Sequence, residues 1–277
     1  MADRVLRHRT GELRLGRGTI VMGIVNVTPD SFSDGGRNLA PLDAIANAAR
    51  LAAEGADILD IGGESTRPGH VPTDAEEEWR RIAPVIGAVA EAGSVVSVDT
   101  WKAEIARRAI AAGASFVNDV WGFQRDPDIG AVTAESGAAA ILMHNRETVD
   151  PSLDIMSDIL RFLERSIGVA RRAGVGDDRI VVDPGIGFGK TFGQSFQAVR
   201  SLPRLKELGF PVLLGLSRKG FIGSLSQPPA PTSERLAGTV AGNLFGVAAG
   251  ADIIRVHDVA PHVQALRMVE RIEAAAA

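Results

Sequence analysis

The chain has 277 residues, 45% of them hydrophobic and 23% charged, which is the composition of a globular protein with one large core. We therefore predict a single domain over residues 1–277, with an N-terminal extension over 1–18. The net charge of −4 excludes a broad basic surface for nucleic acid or anionic lipid, and the absence of cysteine excludes disulfides, thiolate metal ligands and a thiol nucleophile. No apolar run approaches the roughly 20 residues needed to span a bilayer and no signal-peptide core is present, so we predict a cytoplasmic protein without nucleic-acid or membrane partners.

Eight short apolar runs recur along the chain and predict strands, at 20–27, 58–61, 95–98, 116–117, 138–143, 180–182, 212–216 and 253–254. They read as continuous Val, Ile and Leu, as expected of parallel strands covered on both faces. Apolar residues at three-to-four spacing between the runs predict helices, at 41–55, 74–93, 102–113, 155–174, 195–209, 233–250 and 261–276, with a short one within 126–137. This alternation predicts an α/β protein with a (β/α)8 TIM barrel. Residues 9–12, between alternating residues, predict a β-hairpin that closes the bottom of the barrel.

Nearly every predicted strand runs into a polar residue, in chain order Asn26, Glu64, Asp99, Asn118, His144, Asp183, Ser217 and Arg255. Because the carboxyl ends of barrel strands carry the active site, we expect these side chains to converge there. Two loops rich in turn-forming residues, 26–36 and 62–69, follow neighbouring strands and favour a lid. Taken alone, residues 30–36 also fit a solvated Asx-turn loop, and Arg67 a solvated cation.

Asp99, Asn118 and Asp183 suit the edge of a flat, nitrogen-rich heterocycle such as a pterin or a purine, since carboxylates accept from ring N–H and amino groups. For Asp99, which precedes Thr100, capping of the next helix is an equal alternative. The glycine-rich segment 183–190 lacks the spacing of a P-loop. Its glycines, Gly187 among them, let backbone pass close to a ring, with Phe188 available as an apolar wall.

Arg255 and His257 stand two residues apart at the end of the last strand, so their side chains point the same way. Together they predict an anion clamp at the strands where barrels commonly bind phosphate. Lys219 follows the seventh strand. The residues alone leave a Schiff-base aldolase open, with Lys219 as the nucleophile and Arg218 lowering its pKa.

Five blocks in order, at 26–36, 62–69, 183–190, 217–219 and 255–258, resemble the bacterial dihydropteroate synthases, and the resemblance extends from Gly23 to Ile272. It implies condensation of 6-hydroxymethyl-7,8-dihydropterin diphosphate with p-aminobenzoate in folate synthesis. It also implies a homodimer through the last helices and sensitivity to sulfonamides.

The resemblance further implies roles for individual residues. The pterin would be held by Asp99, Asn118, Asp183 and Lys219. The diphosphate and its Mg²⁺ would be held by Arg67, Arg255 and His257 with Asn26, the metal-binding residue. The p-aminobenzoate pocket would be shaped by Phe32, Thr66, Pro68, Phe188, Lys219 and Gly220. Catalytic roles would fall to Asp99, Lys219, Arg255 and His257.

The sequence departs from the family pattern at two places. Gly220 stands where many members carry Ser or Arg, so a side-chain contact to the p-aminobenzoate carboxylate is lost. We therefore expect the protein to bind p-aminobenzoate more weakly than a Gly220→Ser variant. Residues 143–147 lack the Met-Gln-rich continuation often found there, which puts the loop after the fifth strand in question.

Two alternatives keep the pterin. The methyltetrahydrofolate-binding barrels of corrinoid methyltransferases have a similar site, but they hold no diphosphate, so Arg67, Arg255 and His257 favour the synthase. A pterin-binding paralogue without turnover is the other alternative, although the functional residues Asn26, Arg67, Asp99, Lys219, Arg255 and His257 are all present.

Overall fold

The computed structural model describes residues 4–16, 18–28, 40–64 and 73–275. Its strands are β1 (Arg4–His8), β2 (Gly11–Leu15), β3 (Ile20–Asn26), β4 (Ile58–Gly62), β5 (Val95–Asp99), β6 (Phe116–Asp119), β7 (Ala139–Met143), β8 (Ile180–Asp183), β9 (Leu213–Leu214) and β10 (Ile253–Val256). Its helices are α1 (Ala40–Ala53), α2 (Ala75–Glu91), α3 (Ala103–Ala111), α4 (Ile129–Ser136), α5 (Ile155–Ala173), α6 (Phe192–Arg200), α7 (Leu202–Lys206), α8 (Gly220–Gly223), α9 (Leu236–Ala248) and α10 (Val259–Ala275).

Strands β3 to β10 form one parallel sheet in the order β8-β7-β6-β5-β4-β3-β10-β9. A parallel bridge between Val182 and Val212 joins β8 to β9 and closes the sheet on itself. Helices follow the strands and cover the outside, where their apolar faces and the outward strand residues share a large buried core. The predicted (β/α)8 barrel is confirmed.

Some helix boundaries differ from the prediction. The single helix expected over 195–209 is two helices, because Pro203 has no backbone N–H and is accommodated in the first turn of a new helix, α7. The helix expected from 233 begins at Leu236, after a 3₁₀ turn over Thr232–Glu234. The one-turn helix α8 was not predicted, whereas the short helix within 126–137 is present as α4.

The lower end of the barrel interior is filled by the N-terminal hairpin. Strands β1 and β2 pair antiparallel, and Leu6 and Leu15 are buried. Both pack into a cluster with residues at the amino ends of the barrel strands, among them Ile20, Ile58, Phe116, Ala139 and Ile253. The predicted hairpin therefore does close the bottom of the barrel.

The pleat of each strand carries the interior upward from this plug. Since side chains alternate between the two faces of a strand, the residue two places after an interior apolar residue also faces the interior. In β4 this sequence is Ile58, then Asp60, and in β5 it is Val95, Ser97, Asp99. The upper half of the barrel is therefore lined by polar groups.

A helix with the length and hydropathy of a membrane span is not found in the part of the chain that the structure describes. The cytoplasmic location stays a prediction.

Candidate active site

Arg255 lies at the centre of the polar half of the barrel. Its Nε donates to Asp60 Oδ2 at 2.6 Å and its Nη2 donates to Asp99 Oδ2 at 2.7 Å. Asn118 Nδ2 donates to the same Asp60 oxygen at 3.0 Å. Hydrogen bonds between ionised partners are the stronger kind, so the two carboxylates fix the plane of the guanidinium.

Asp60 is a site residue that the sequence analysis missed, because it lies inside the apolar run 58–61. Its side chain is fully buried, and Oδ1 has no hydrogen-bond partner among the described residues. A signal was present: an acid in a buried strand is rarely tolerated unless it is paired. Alternation from Ile58 also places it on the interior face.

Asp99 pairs with Arg255 and does not cap the following helix. The first turn of α3 is capped from elsewhere, since Ala103 N donates to Asp126 Oδ2 at 2.8 Å. Burial raises the pKa of Asp99 to about 7, and the neighbouring Asp60 adds to the rise while Arg255 opposes it. The heterocycle-binding interpretation of Asp99 is thereby favoured over the capping one.

Lys219 follows β9, the neighbour of the strand that carries Arg255, and enters the same interior. Its Nζ donates to the carbonyl of Ile186 and lies 4.5 Å from the centroid of the Phe188 ring. Burial lowers the pKa of Lys219 to about 8, Arg255 lowers it further, and Asp183 opposes the fall. Below that pH the side chain is an ammonium above an aromatic face.

The backbone under Lys219 is built from glycine. Gly187 has φ +81°, and a Cβ there would lie 3.2 Å from Lys219 Cδ. Asp183, which opens this segment, accepts from Gly185 N through Oδ1 at 2.7 Å. Burial raises the pKa of Asp183, and Lys219 opposes the rise. In the structure the backbone of Gly187 passes close to Lys219, and its approach to a bound ring stays a prediction.

His257 is neutral at pH 7, because burial and then Arg255 lower its pKa to about 4. Its backbone N–H donates to Ser217 Oγ at 3.2 Å, and its Nδ1 lies 3.0 Å from the same hydroxyl. We assign the tautomer in which the Ser217 hydroxyl donates to Nδ1. The imidazole proton is then on Nε2, which can donate a hydrogen bond. The expected clamp is therefore one cation, Arg255, and one neutral donor.

Arg218 holds an uncommon left-handed backbone, with φ +57°. Its guanidinium donates through Nε to Asp258 Oδ2 at 2.9 Å, and its backbone N–H donates to Thr239 Oγ1 at 3.1 Å. Arg235 Nη1 donates to the carbonyl of Arg218 at 3.0 Å. These contacts set the direction of Lys219. The charge of Arg218 is paired with Asp258, so the lowered pKa of Lys219 comes from burial and not from Arg218.

This geometry occurs in a chain with clear relatives. The profile of the pterin binding enzymes matches residues 22–257. A dihydropteroate synthase of Clostridium beijerinckii is 46% identical over 94% of this chain and 97% of the relative. The chain belongs to the dihydropteroate synthase family.

Solved structures of the family agree in shape as well as in sequence. The Xanthomonas albilineans dihydropteroate synthase with 4-aminobenzoic acid superposes with a TM-score of 0.94, at 44% identity and 99% coverage of both chains. The same enzyme in complex with 7,8-dihydropteroate gives a TM-score of 0.89, at 43% identity, over 98% of this chain and 99% of that one.

The described residues of the family pattern meet at one end of the barrel, namely Asp99, Asn118, Asp183, Gly187, Phe188, Lys219, Gly220, Arg255 and His257. Asn26 is exposed at the end of β3, where it pairs in register with Gly62. Four predicted residues, Phe32, Thr66, Arg67 and Pro68, lie outside the described residues, and their roles stay predictions.

The ionisation of Lys219 can be measured directly. We expect its ammonium to titrate near pH 8 in ¹³C-lysine NMR spectra, and the Asp183→Asn variant to titrate lower, because a carboxylate that favours the charged form is lost. The control variant Asp252→Asn removes a carboxylate that pairs with Lys206, so it should leave Lys219 unchanged. An ordinary lysine pKa in the wild type would contradict this account of the site.

Proposed function

We propose that the protein condenses 6-hydroxymethyl-7,8-dihydropterin diphosphate with p-aminobenzoate to give 7,8-dihydropteroate and diphosphate. One observation carries the proposal: the carboxyl groups of Asp99 and Asp183, the Asn118 amide and the Lys219 side chain line one barrel interior beside Arg255. The X. albilineans enzyme, which shares this fold, binds 4-aminobenzoic acid and 7,8-dihydropteroate.

The interior offers the pterin complementary partners. Asn118 uses its amide nitrogen on Asp60, which leaves its carbonyl oxygen to accept from the ring. Asp183 uses Oδ1 on the Gly185 N–H, which leaves Oδ2 to accept from ring N–H or amino groups. Lys219 donates to the pterin carbonyl. Buried donors and acceptors of this kind discriminate strongly against rings that leave them unpaired.

The reaction follows from where charge develops. The C–O bond to the diphosphate breaks, its electron pair leaves with the diphosphate, and a cation remains on the pterin methylene in conjugation with the ring. Asp99 supplies compensating negative charge, while Arg255 and the Nε2–H of His257 stabilise the leaving group. The neutral aniline nitrogen then forms the C–N bond and releases a proton to solvent. No strong base is needed.

Mg²⁺ belongs to the proposal as a partner of the diphosphate. Among the described residues, no three His, Cys, Asp or Glu side chains are grouped to hold a metal. Asn26 does offer one hard oxygen at the barrel mouth, and Mg²⁺ is usually bound through one or two protein ligands together with substrate phosphates. The donor set fits that mode. The ion would neutralise charge on the diphosphate, and Asn26 would orient it.

We also propose a homodimer through the last two helices. Phe245 of α9 and Met268 and Ile272 of α10 are all more than half exposed. Large exposed apolar side chains on two helices that pack against each other suit contact with a second copy of the chain. We further propose that sulfonamides inhibit the protein by binding in the p-aminobenzoate pocket.

Diphosphate release tests the function. With Mg²⁺ and the dihydropterin diphosphate, we expect release that depends on p-aminobenzoate and yields dihydropteroate. Asp99→Asn should lower the rate by about a hundredfold or more, because a charge that stabilises the transition state is lost. The control variant Asp126→Asn, which removes a helix cap outside the site, should retain activity. Tight pterin binding without release would favour the methyltransferase or non-catalytic alternatives.

Gly220 provides a second test. A Cβ at this position would lie 3.6 Å from the Phe192 ring, an ordinary contact, so a serine fits. We expect Gly220→Ser to lower the KM for p-aminobenzoate about three- to tenfold, which is the contribution of one hydrogen bond. Gly193→Ser, whose Cβ would meet only Thr191 Oγ1 at 3.9 Å, is the matched control. An unchanged KM in Gly220→Ser would count against the missing contact.

A further inference from the structure

Lys190 is a buried lysine that the reaction above does not use. It is 6% exposed, and its Nζ has three acceptors within reach. The ammonium lies 2.7 Å from His144 Nδ1, 2.8 Å from the carbonyl oxygen of Gly185 and 3.1 Å from that of Phe188. A protonated lysine has three N–H donors, so the three acceptors satisfy all of them.

The imidazole of His144 connects Lys190 to the carboxylate of Asp158 through hydrogen bonds at both ring nitrogens. Because Lys190 donates to Nδ1, the imidazole proton is on Nε2 and is donated to Asp158 Oδ2 at 3.1 Å. Arg146 Nη1 donates to the same Asp158 oxygen at 2.8 Å. Burial and the positive charge of Lys190 lower the pKa of His144 to about 3, so the ring is neutral. The loop after β7, which the sequence left in question, thus forms a fixed support for Lys190.

The segment 183–190 is wound around the ammonium. Gly185, Gly187 and Gly189 all have positive φ, which directs several carbonyl groups inward. The segment is also pressed against the support, since a Cβ at Gly185 would lie 1.8 Å from His144 O and one at Gly189 would lie 2.4 Å from Arg146 Cβ. Without the ammonium, the carbonyls of Gly185 and Phe188 would lose a buried donor.

The same segment presents its outer side to Lys219. The carbonyl of Ile186 accepts from Lys219 Nζ, and the ring of Phe188 lies under that ammonium. Between them, the Gly187 backbone packs against the lysine side chain. The shape of the segment therefore fixes both the direction of Lys219 and the position of the aromatic wall.

We propose that Lys190 is a positioning residue: its ammonium, oriented by His144 and Asp158, fixes the loop that places Phe188 and Lys219 for substrate binding. The effect on substrates rests on the proposed function, whereas the effect on the loop does not. Other charged groups act on Lys190. Burial lowers the pKa of Lys190 well below its usual value, Lys219 and Arg146 lower it further, and Asp183 and Asp158 oppose the fall. The three acceptors at hydrogen-bond distance favour the ammonium form.

The test compares Lys190→Met with the wild type. Methionine keeps an unbranched chain of similar length and removes all three donors. We expect amide hydrogen exchange in a peptide covering 184–190 to accelerate at least tenfold, with exchange in β7 and β8 unchanged. The KM for p-aminobenzoate should rise at least fivefold. Lys206→Met, which breaks an ion pair with Asp252 outside the site, is the control and should change neither quantity.

Exchange within twofold of the wild type at 184–190 would overturn the proposal, and so would faster exchange with an unchanged KM for p-aminobenzoate. If amide hydrogen exchange in Lys190→Met is faster throughout the protein, the substitution has destabilised the whole fold, and His144→Phe becomes the deciding variant. This substitution removes one acceptor of the Lys190 ammonium and keeps an aromatic ring against Phe162. That variant should accelerate exchange in the same peptide, and no change there would overturn the proposal. A wild-type protein that makes no dihydropteroate would refute the proposed function and leave the exchange result to decide the role of Lys190.

Discussion

The ion pairs of Arg255 with Asp60 and Asp99 are the constraint on which the rest of the site depends. Charged side chains inside a barrel are tolerated only when they are paired. Removing one partner leaves the other as an uncompensated buried charge, which destabilises the fold. The pairing joins β10 to β4 and β5 across the interior. It also fixes Asn118 through the shared Asp60 oxygen and neutralises part of the charge that Arg255 offers to a diphosphate.

Two neighbouring loops extend this rigidity beyond the strand ends. Arg218 is held in a left-handed conformation by Thr239, Arg235 and Asp258, and it directs Lys219 inward. From the opposite side, Lys190 supports the segment on which Lys219 rests. Loops with their own buried polar contacts place side chains more accurately than solvated ones. Lys219 is therefore preorganised by the contacts of Arg218 and Lys190, two side chains to which the reaction assigns no substrate contact.

The barrel could be predicted from the sequence because covered parallel strands and amphipathic helices leave strong patterns, and the strand-end residues marked the site. The remainder depended on three-dimensional contacts. Asp60 was hidden in an apolar run, and the neutral state of His257 depends on burial and on Arg255. The sequence suggested that Arg218 lowers the pKa of Lys219, but the charge of Arg218 is paired with Asp258. The break at Pro203 showed that one periodic stretch can form two helices.

Calorimetric titration of the dihydropterin diphosphate into Asp60→Asn tests the central role of the buried ion pairs most directly. The substitution keeps the shape and removes the charge that Arg255 and Asn118 share, so we expect binding at least about tenfold weaker than in the wild type. Asp57→Asn, just before the strand β4 that carries Asp60, removes a carboxylate that accepts from Val21 N and should change binding less than twofold. Equal affinities in wild type and Asp60→Asn would contradict the account.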